Sequence, residues 1–263
     1  MKLTILGSGT TVPHPKRRSA GYWLETSAGT VLLDCSMYVP RQIVELGLDW
    51  PKLDAIWISH FHLDHVGGLA PFLSGTKHAE EVKKRRKPLN IFGPVGLTDL
   101  LAAFDDAGDY KLFKQPFPLE IIEVEPLETF QIVEGLDAVA MKTPHDDESL
   151  AVHIRDRDDS TLVYTADTGF TELLATFARK ADLLVIEASY PKNKTKEKHL
   201  ELAEAMYIIR KAQPNRAVLT HLYPIWDKFD FAKEVAKYSP PCEVIEASDG
   251  LQLEFCADMI NGN

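Results

Sequence analysis

The chain has 263 residues, of which 45% are hydrophobic and 26% charged, a composition typical of a soluble globular protein. Its net charge of −10 argues against a general polyanion-binding surface, so we expect no stable nucleic-acid binding. The three cysteines, Cys35, Cys242 and Cys256, are far apart and predict no disulfide framework. No signal-peptide pattern and no apolar run of about twenty residues is present, which predicts a cytoplasmic protein without membrane contact.

The first half of the chain predicts short strands separated by turns, with few helices. A helix over 40–46 begins with Pro40 in its first turn and ends before Gly47. Another is predicted over 97–104, and a third begins with the apolar segment 69–73. Strands are predicted over 3–6, 22–26, 30–34, 53–58 and 89–92.

The second half continues in the same style. Strands are predicted over 119–124, 128–133, 136–142, 150–154, 161–165, 183–187, 217–220 and 251–255. Helices are predicted over 172–178, 200–211 and 231–238. Because no linker-like stretch interrupts this series, we predict one domain over 1–263, built of two sheets covered by helices.

Four potential metal ligands follow the predicted strand 53–58 within six residues: His60, His62, Asp64 and His65. Imidazole nitrogens and carboxylate oxygens are the donors that Zn²⁺ and similar metals prefer. In an extended segment, His60, His62 and Asp64 would point the same way, and His65 elsewhere, so one loop could serve two metals. A lone loop histidine is usually solvated, but four donors at this spacing favour a metal site.

This stretch resembles the signature of the metallo-β-lactamase-fold hydrolases. The resemblance implies an αββα sandwich, with two mixed β-sheets face to face, two divalent metal ions and a nucleophile derived from water. Three further donors stand where predicted strands end: His145, Asp167 and His221. Taken singly, each has an ordinary alternative, such as a turn or an N-cap residue for Asp167.

The resemblance also assigns the donors. It implies that one metal is held by His60, His62 and His145. The other is held by Asp64, His65 and His221, and Asp167 bridges both. Zinc is the first expectation, while manganese, iron or nickel also suit such ligands. Two such ions can polarise a bridging water towards hydroxide, and Asp64 can act as its base.

Longer phrases at 6–13, 88–97, 164–168 and 181–189 resemble one branch of the family, the tRNA 3′-processing endonucleases (ribonuclease Z) and their relatives. In that branch the residue matching His199 protonates the leaving oxygen, and the residue matching Glu187 orients it. The alternatives are an exposed residue at a helix start for His199 and a locally satisfied carboxylate for Glu187. The resemblance also implies a homodimer.

One departure from that branch bears on the substrate. The tRNA-processing enzymes carry a long basic arm between the single His and the bridging Asp, whereas 146–166 has room for little more than two strands and a turn. We therefore predict a dinuclear phosphodiesterase acting on a small anionic substrate, a cyclic or nucleotide-type phosphodiester, through a metal-bridging hydroxide. Alternatives are hydrolysis of a lactone, β-lactam or sulfate ester, tRNA 3′ processing, or a non-catalytic metal-binding protein.

The only strongly basic run is Lys83–Lys87. It predicts either a solvated surface or an electropositive lip that attracts the anionic substrate.

Overall fold

A computed structural model describes residues 1–257. These residues form two seven-stranded β-sheets. The strands are β1 (Lys2–Gly7), β2 (Gly21–Glu25), β3 (Thr30–Leu33), β4 (Ala55–Trp57), β5 (Leu89–Pro94), β6 (Leu119–Val124), β7 (Thr129–Val133), β8 (Leu136–Lys142), β9 (Leu150–Arg155), β10 (Thr161–Tyr164), β11 (Leu183–Glu187), β12 (Arg216–Thr220), β13 (Glu243–Glu246) and β14 (Gln252–Glu254). The strand orders are β14-β1-β2-β3-β4-β5-β6 and β13-β12-β11-β10-β9-β8-β7.

Each sheet is antiparallel on one side and parallel on the other. Strands β3 to β6 run parallel in the first sheet, and β10 to β13 run parallel in the second. The carboxyl ends of parallel strands meet at one edge of a sheet, where the following loops can bring side chains together. This arrangement places the loops after β4, β10 and β12 where a shared site can form.

The helices are α1 (Val39–Glu45), α2 (Leu63–Val66), α3 (Leu69–Thr76), α4 (Leu97–Asp106), α5 (Leu173–Phe177), α6 (Leu202–Ala212) and α7 (Phe231–Ala236). Short 3₁₀ turns lie at Trp50–Lys52, Glu80–Val82 and Pro224–Lys228. No helix within residues 1–257 has the length and apolar character needed to span a bilayer.

The core is divided by the two sheets into three layers. Successive strand residues point to opposite faces, so Trp57 packs between the sheets while Ile56 packs against the outer helices. In the second sheet Leu183 lies between the two sheets, whereas Leu184 packs on the outer side with Leu202 of helix α6. This is the αββα sandwich that the resemblance implied, and the fold prediction is confirmed.

Strand β13 was not predicted from the sequence. Its four residues, Glu-Val-Ile-Glu, are half-buried or exposed at the edge of the sheet, so they lack the apolar run that marks the inner strands. The three cysteines are free thiols; Cys35 is buried, and Cys242 and Cys256 are half-buried.

The basic run Lys83–Lys87 lies away from the loop that carries His60, at the other end of β4. The Arg85 guanidinium donates to the carbonyl oxygens of Pro51 and Pro88 at 2.9 and 2.6 Å, and Lys87 pairs with Asp54 at 2.6 Å. Asp54 immediately precedes β4, whereas His60 follows its carboxyl end. The basic run therefore contacts the end of β4 that is opposite to His60. The expectation of an electropositive lip over the site is wrong.

Candidate metal centre

The seven predicted donors come together at the carboxyl ends of the strands. Their side chains form two groups in which one ligand atom from each residue lies within 4.8 Å of the others. The first group is His60, His62, His145 and Asp167, and the second is Asp64, His65 and His221. His145 follows β8, Asp167 follows β10 and His221 follows β12.

In the first group, three imidazoles surround one carboxylate oxygen. Nδ1 of His62 lies 3.1 Å from Nε2 of His145. Oδ2 of Asp167 lies 3.9 Å from Nε2 of His60 and 3.8 Å from Nε2 of His145. His60 and His145 are buried, whereas the His62 side chain is 48% exposed and marks the side of the cluster that is open to solvent.

In the second group, Asp64 Oδ2 lies 3.5 Å from Nε2 of His221 and 3.9 Å from Nε2 of His65. Asp167 reaches this group as well. Its Oδ1 lies 3.3 Å from Nε2 of His65, and its Oδ2 lies 3.2 Å from Nε2 of His221. The Asp167 carboxylate therefore stands between the two groups.

The loop after β4, which carries His60 to His65, differs from the extended segment that the sequence predicted. The backbone is extended at His62 but turns into α2 at Leu63, and the N–H groups of His65 and Val66 donate to the carbonyl of His62. Alternation along a strand therefore does not place Asp64. A helical turn at the end of the loop places Asp64 and His65 instead, about 100° apart around its axis.

Several donor atoms of this cluster lack hydrogen-bond partners although they are buried. They are Nε2 of His60, Nε2 of His65, Nε2 of His221 and Oδ1 of Asp167. A buried polar atom without a partner costs about 1–3 kcal/mol, so four such atoms facing one another would be unfavourable in a purely structural cluster. Nitrogen and carboxylate donors of this kind fit divalent metal ions.

Three histidines of the cluster form hydrogen bonds through the ring nitrogen that faces away from it, which fixes their rings. Nδ1 of His65 donates to Asp34 at 2.7 Å, Nδ1 of His145 to the Lys198 carbonyl at 2.8 Å, and Nε2 of His62 to Asp146 at 2.7 Å. Such outer contacts hold the ring and select the tautomer of a metal-binding histidine.

Two histidines use a serine as a relay to a carboxylate. Nδ1 of His60 lies 3.0 Å from the Ser59 hydroxyl, which donates to Asp34 at 2.8 Å. Nδ1 of His221 lies 3.1 Å from the Ser189 hydroxyl, which donates to a carboxylate oxygen of Glu187 at 2.6 Å. In both relays the serine proton is directed to the carboxylate, so the hydroxyl oxygen accepts from the imidazole and leaves Nε2 free for a ligand.

Asp34 is a residue of this site that sequence reasoning missed. It follows β3, is fully buried, and accepts hydrogen bonds from Ser59, His65 and Tyr164. Its φ of +58° lies in the left-handed region, which is rare for a residue other than glycine. An aspartate that ends a buried strand was the available signal, but its partners are distant in sequence.

Backbone strain recurs around the cluster. Ala166, directly before Asp167, has φ of +51°, and His221 has φ of +55°. A non-glycine residue in this region costs on the order of 1–2 kcal/mol and persists only where the surroundings hold it. Three loops that follow strands thus carry strained residues at the donor cluster, where a defined donor geometry is needed.

His199 and Glu187 form a buried pair beside the cluster. Nδ1 of His199 lies 3.1 Å from Oε1 of Glu187, and the His199 ring stacks on that of His221 with centroids 5.3 Å apart. The backbone N–H groups of Thr168 and Leu200 also donate to the Glu187 carboxylate, at 2.6 and 3.1 Å. Burial lowers the pKa of His199, but Glu187 and Asp167 outweigh it and raise the pKa.

The charge states of the two carboxylates and of His60 suit cation binding, whereas for His65 the effect of burial is outweighed by Asp167 and Asp34, which raise its pKa. Burial raises the pKa of Asp64, but the contact with His221 and the nearby His65 outweigh it and lower the pKa to about 2. Burial also opposes ionisation of Asp167, yet His221 and His65 hold its pKa well below the usual value. Burial and the neighbouring histidine His65 lower the pKa of His60, which keeps this imidazole neutral.

A family model described as the beta-lactamase superfamily domain matches residues 30–222. The chain therefore belongs to the beta-lactamase superfamily, and with this fold and donor cluster it is a metallo-β-lactamase-fold hydrolase. The fold implies divalent metal ions.

Among curated proteins, the chain is 26% identical to ribonuclease Z of Thermoplasma acidophilum, over 85% of this chain and 87% of that protein. It is also 26% identical to the probable metallo-hydrolase YhfI of Bacillus subtilis, over 97% of this chain and all of that protein.

Solved structures establish the same fold. The crystal structure of Bacillus subtilis YhfI superposes with a TM-score of 0.80 at 24% identity, covering 96% of this chain and 98% of that one. The short form of human tRNase Z superposes with a TM-score of 0.75 at 21% identity, covering 97% and 98%.

Proposed function

We propose that this protein is a dinuclear metal-dependent phosphodiesterase that acts on a small, cyclic or nucleotide-type phosphodiester. In this proposal, His60, His62 and His145 would hold one divalent ion, zinc in the first instance. Asp64, His65 and His221 would hold a second, and Asp167 would contribute to both sites. Support comes from the convergence of these donors and from the four buried donor atoms that lack partners.

The observation that carries the phosphodiesterase proposal is the His199–Glu187 pair. The Glu187 carboxylate already accepts four hydrogen bonds, one of them from His199, so it acts on substrate only through His199. The His199 ring in turn lies against that of His221 at the cluster. An imidazole whose pKa is raised by a buried carboxylate is suited to donate a proton near neutral pH. A diester needs such a donor because its leaving oxygen departs as an alkoxide.

The chain's own residues have distinct tasks in this reaction. His199 donates its proton to the leaving oxygen, and Glu187 holds the imidazole in place and stabilises its charged form. The ionised carboxylate of Asp64 accepts a hydrogen bond from the attacking water, orients it and serves as its base. When bound, two divalent ions would lower the pKa of that water and offset the negative charge of the phosphoryl group.

The short connection between His145 and Asp167 supports a small substrate. It consists of β9, β10 and the turn between them, and both strands pair within the sheet, so no extended arm projects from this segment. The net charge of −10 likewise disfavours a large polyanion such as tRNA.

We also propose that residues 1–263 form a single domain. Support comes from the pairing of β14 with β1, which joins the two ends of the described chain in one sheet. The two sheets share one central core as well.

The proposal is tested by metal analysis and a rate assay on bis(p-nitrophenyl) phosphate, with a lactone assayed on the same sample. We expect two divalent ions per chain and diesterase turnover. On 2′,3′-cyclic adenosine monophosphate, a diester whose leaving group is an alkoxide, His199→Ala should lower kcat by about 10²–10⁴-fold, the usual contribution of a general acid, with metal content unchanged. Turnover of bis(p-nitrophenyl) phosphate should fall less, because p-nitrophenolate leaves without a proton. His153→Ala is the matched control, because His153 is half-buried in β9 and packs against Phe177.

Three results would contradict parts of this proposal. A protein that binds no metal would remove the central claim. Turnover of the lactone alone would replace the phosphodiesterase with an acyl hydrolase. Full activity of His199→Ala on the cyclic nucleotide would remove the assigned proton donor.

A further inference from the structure

A cavity of about 760 Å³ opens beside the metal-donor cluster. His145, a member of the cluster, forms part of its wall, and Pro144, Phe170, Leu173 and Lys198 line other sides. Ligand pockets for small molecules usually measure about 300–1,000 Å³, so a group of nucleotide size fits here. The cavity therefore adjoins the proposed phosphate site through His145.

Phe170 is the aromatic side chain of this cavity. It follows Asp167 by three residues in the sequence and is 40% exposed. The ring makes an edge contact with Tyr207, at 5.5 Å between centroids, and the Tyr207 hydroxyl donates to Glu172 at 2.7 Å. An exposed aromatic ring is suited to stack on a planar group.

The charged groups of the cavity balance one another. Lys198 pairs with Asp146, and Asp146 also accepts from His62, so these charges are already neutralised within the protein. Lys142 and Asp147 remain at the rim with opposite signs. The cavity therefore offers an aromatic and aliphatic surface rather than a second anion site.

We propose that this cavity holds the base of a nucleotide-type substrate, stacked on Phe170, while the phosphate of the same nucleotide lies at the donor cluster. This inference rests on the proposed function for the position of the phosphate. It narrows the proposed substrate to a diester in which one ester group is a nucleoside, and it names the residue that binds the base. Stacking tolerates different bases, so selection among bases is weak.

The test is a calorimetric titration of the zinc-loaded protein with adenosine 5′-monophosphate and with ribose 5-phosphate. These two ligands share the sugar and the phosphate and differ only in the base. Stacking of one base on an aromatic side chain changes affinity by about 5- to 150-fold. We expect the wild type to prefer the nucleotide by a factor in that range.

Substitutions then assign the preference to Phe170. Phe170→Ala should weaken nucleotide binding by the same factor and leave ribose 5-phosphate binding unchanged, whereas Phe170→Trp should retain the preference. Phe113→Ala is the matched control, because Phe113 is 42% exposed but lies outside this cavity. Phe170→Leu, which keeps an apolar side chain, replaces the alanine variant if that variant loses its metal or its folded circular dichroism spectrum.

Several results of these titrations would overturn the inference that the base stacks on Phe170. Equal affinity of the wild type for the two ligands, no nucleotide binding by the wild type, or unchanged nucleotide binding in Phe170→Ala would each overturn the inference. Equal weakening of both ligands would also overturn it, because the ring would then act on the sugar phosphate or on the fold. Failure of bis(p-nitrophenyl) phosphate hydrolysis alone would refute the proposed function and leave the base site standing.

Discussion

Replacing Asp34 with Asn should weaken both the fold and metal binding, because the Asp34 carboxylate is a fully buried acceptor. Its Oδ1 accepts from the Ser59 backbone at 2.8 Å. Its Oδ2 accepts from the Ser59 hydroxyl, Nδ1 of His65 and the Tyr164 hydroxyl at 2.8, 2.7 and 2.6 Å. An asparagine NH₂ group replaces one of these oxygens and then faces a donor in either orientation of the amide.

The magnitude follows from these contacts. A lost charge-assisted hydrogen bond costs about 1.5–3 kcal/mol, and a buried donor left without a partner costs about 1–3 kcal/mol. We therefore expect Asp34→Asn to lower the free energy of unfolding by about 4 kcal/mol. Because His60 and His65 both depend on Asp34 for ring orientation, metal affinity should fall by about 10- to 100-fold, as for other outer-contact substitutions.

The assay combines denaturant unfolding of the metal-free protein with zinc competition against a chromophoric chelator. Asp182→Asn is the matched control. Asp182 is buried and accepts from Thr161 and Asn215, but it precedes β11 and so lies at the opposite end of that strand from Glu187. The control should lose stability and keep its zinc affinity. Equal zinc affinity in Asp34→Asn and the wild type would refute the assigned orienting role of Asp34.

Two further outcomes are expected. Metal removal by a chelator should lower Tm by about 5–10 °C in differential scanning calorimetry, because saturation at 100 times Kd contributes about 2.7 kcal/mol; an unchanged Tm would show that the unpaired donors hold no metal. Burial and Arg155 lower the pKa of His153, so in acid the unfolded chain binds a proton that the folded chain does not. The stability that neutral His153 contributes is therefore present above about pH 6.5 and is lost as the pH falls towards the lower folded pKa. His153→Gln should reduce the loss of Tm between pH 7 and pH 5, and an identical pH profile would contradict this reasoning.

Local patterns in the sequence determined most of the architecture. Apolar runs and turn residues predicted nearly every strand, because burial between two layers imposes a continuous apolar character that is visible in a few residues. The donors His60, His62, Asp64 and His65 were equally visible, because one loop supplies them all. The donors His145, Asp167 and His221 were found through the family resemblance and their positions at strand ends.

Only the tertiary structure decided what surrounds those donors. Asp34 and Ser189 hold imidazoles that are about 30 residues distant in sequence, and His145 is held by the backbone carbonyl of Lys198, which has no sequence signature. The helical turn at Asp64 replaced the predicted extended segment, since two hydrogen bonds to the His62 carbonyl outweigh alternation. Hydrogen-bond partners and cavities depend on which strand ends meet, and that is set by sheet pairing over long distances rather than by local periodicity.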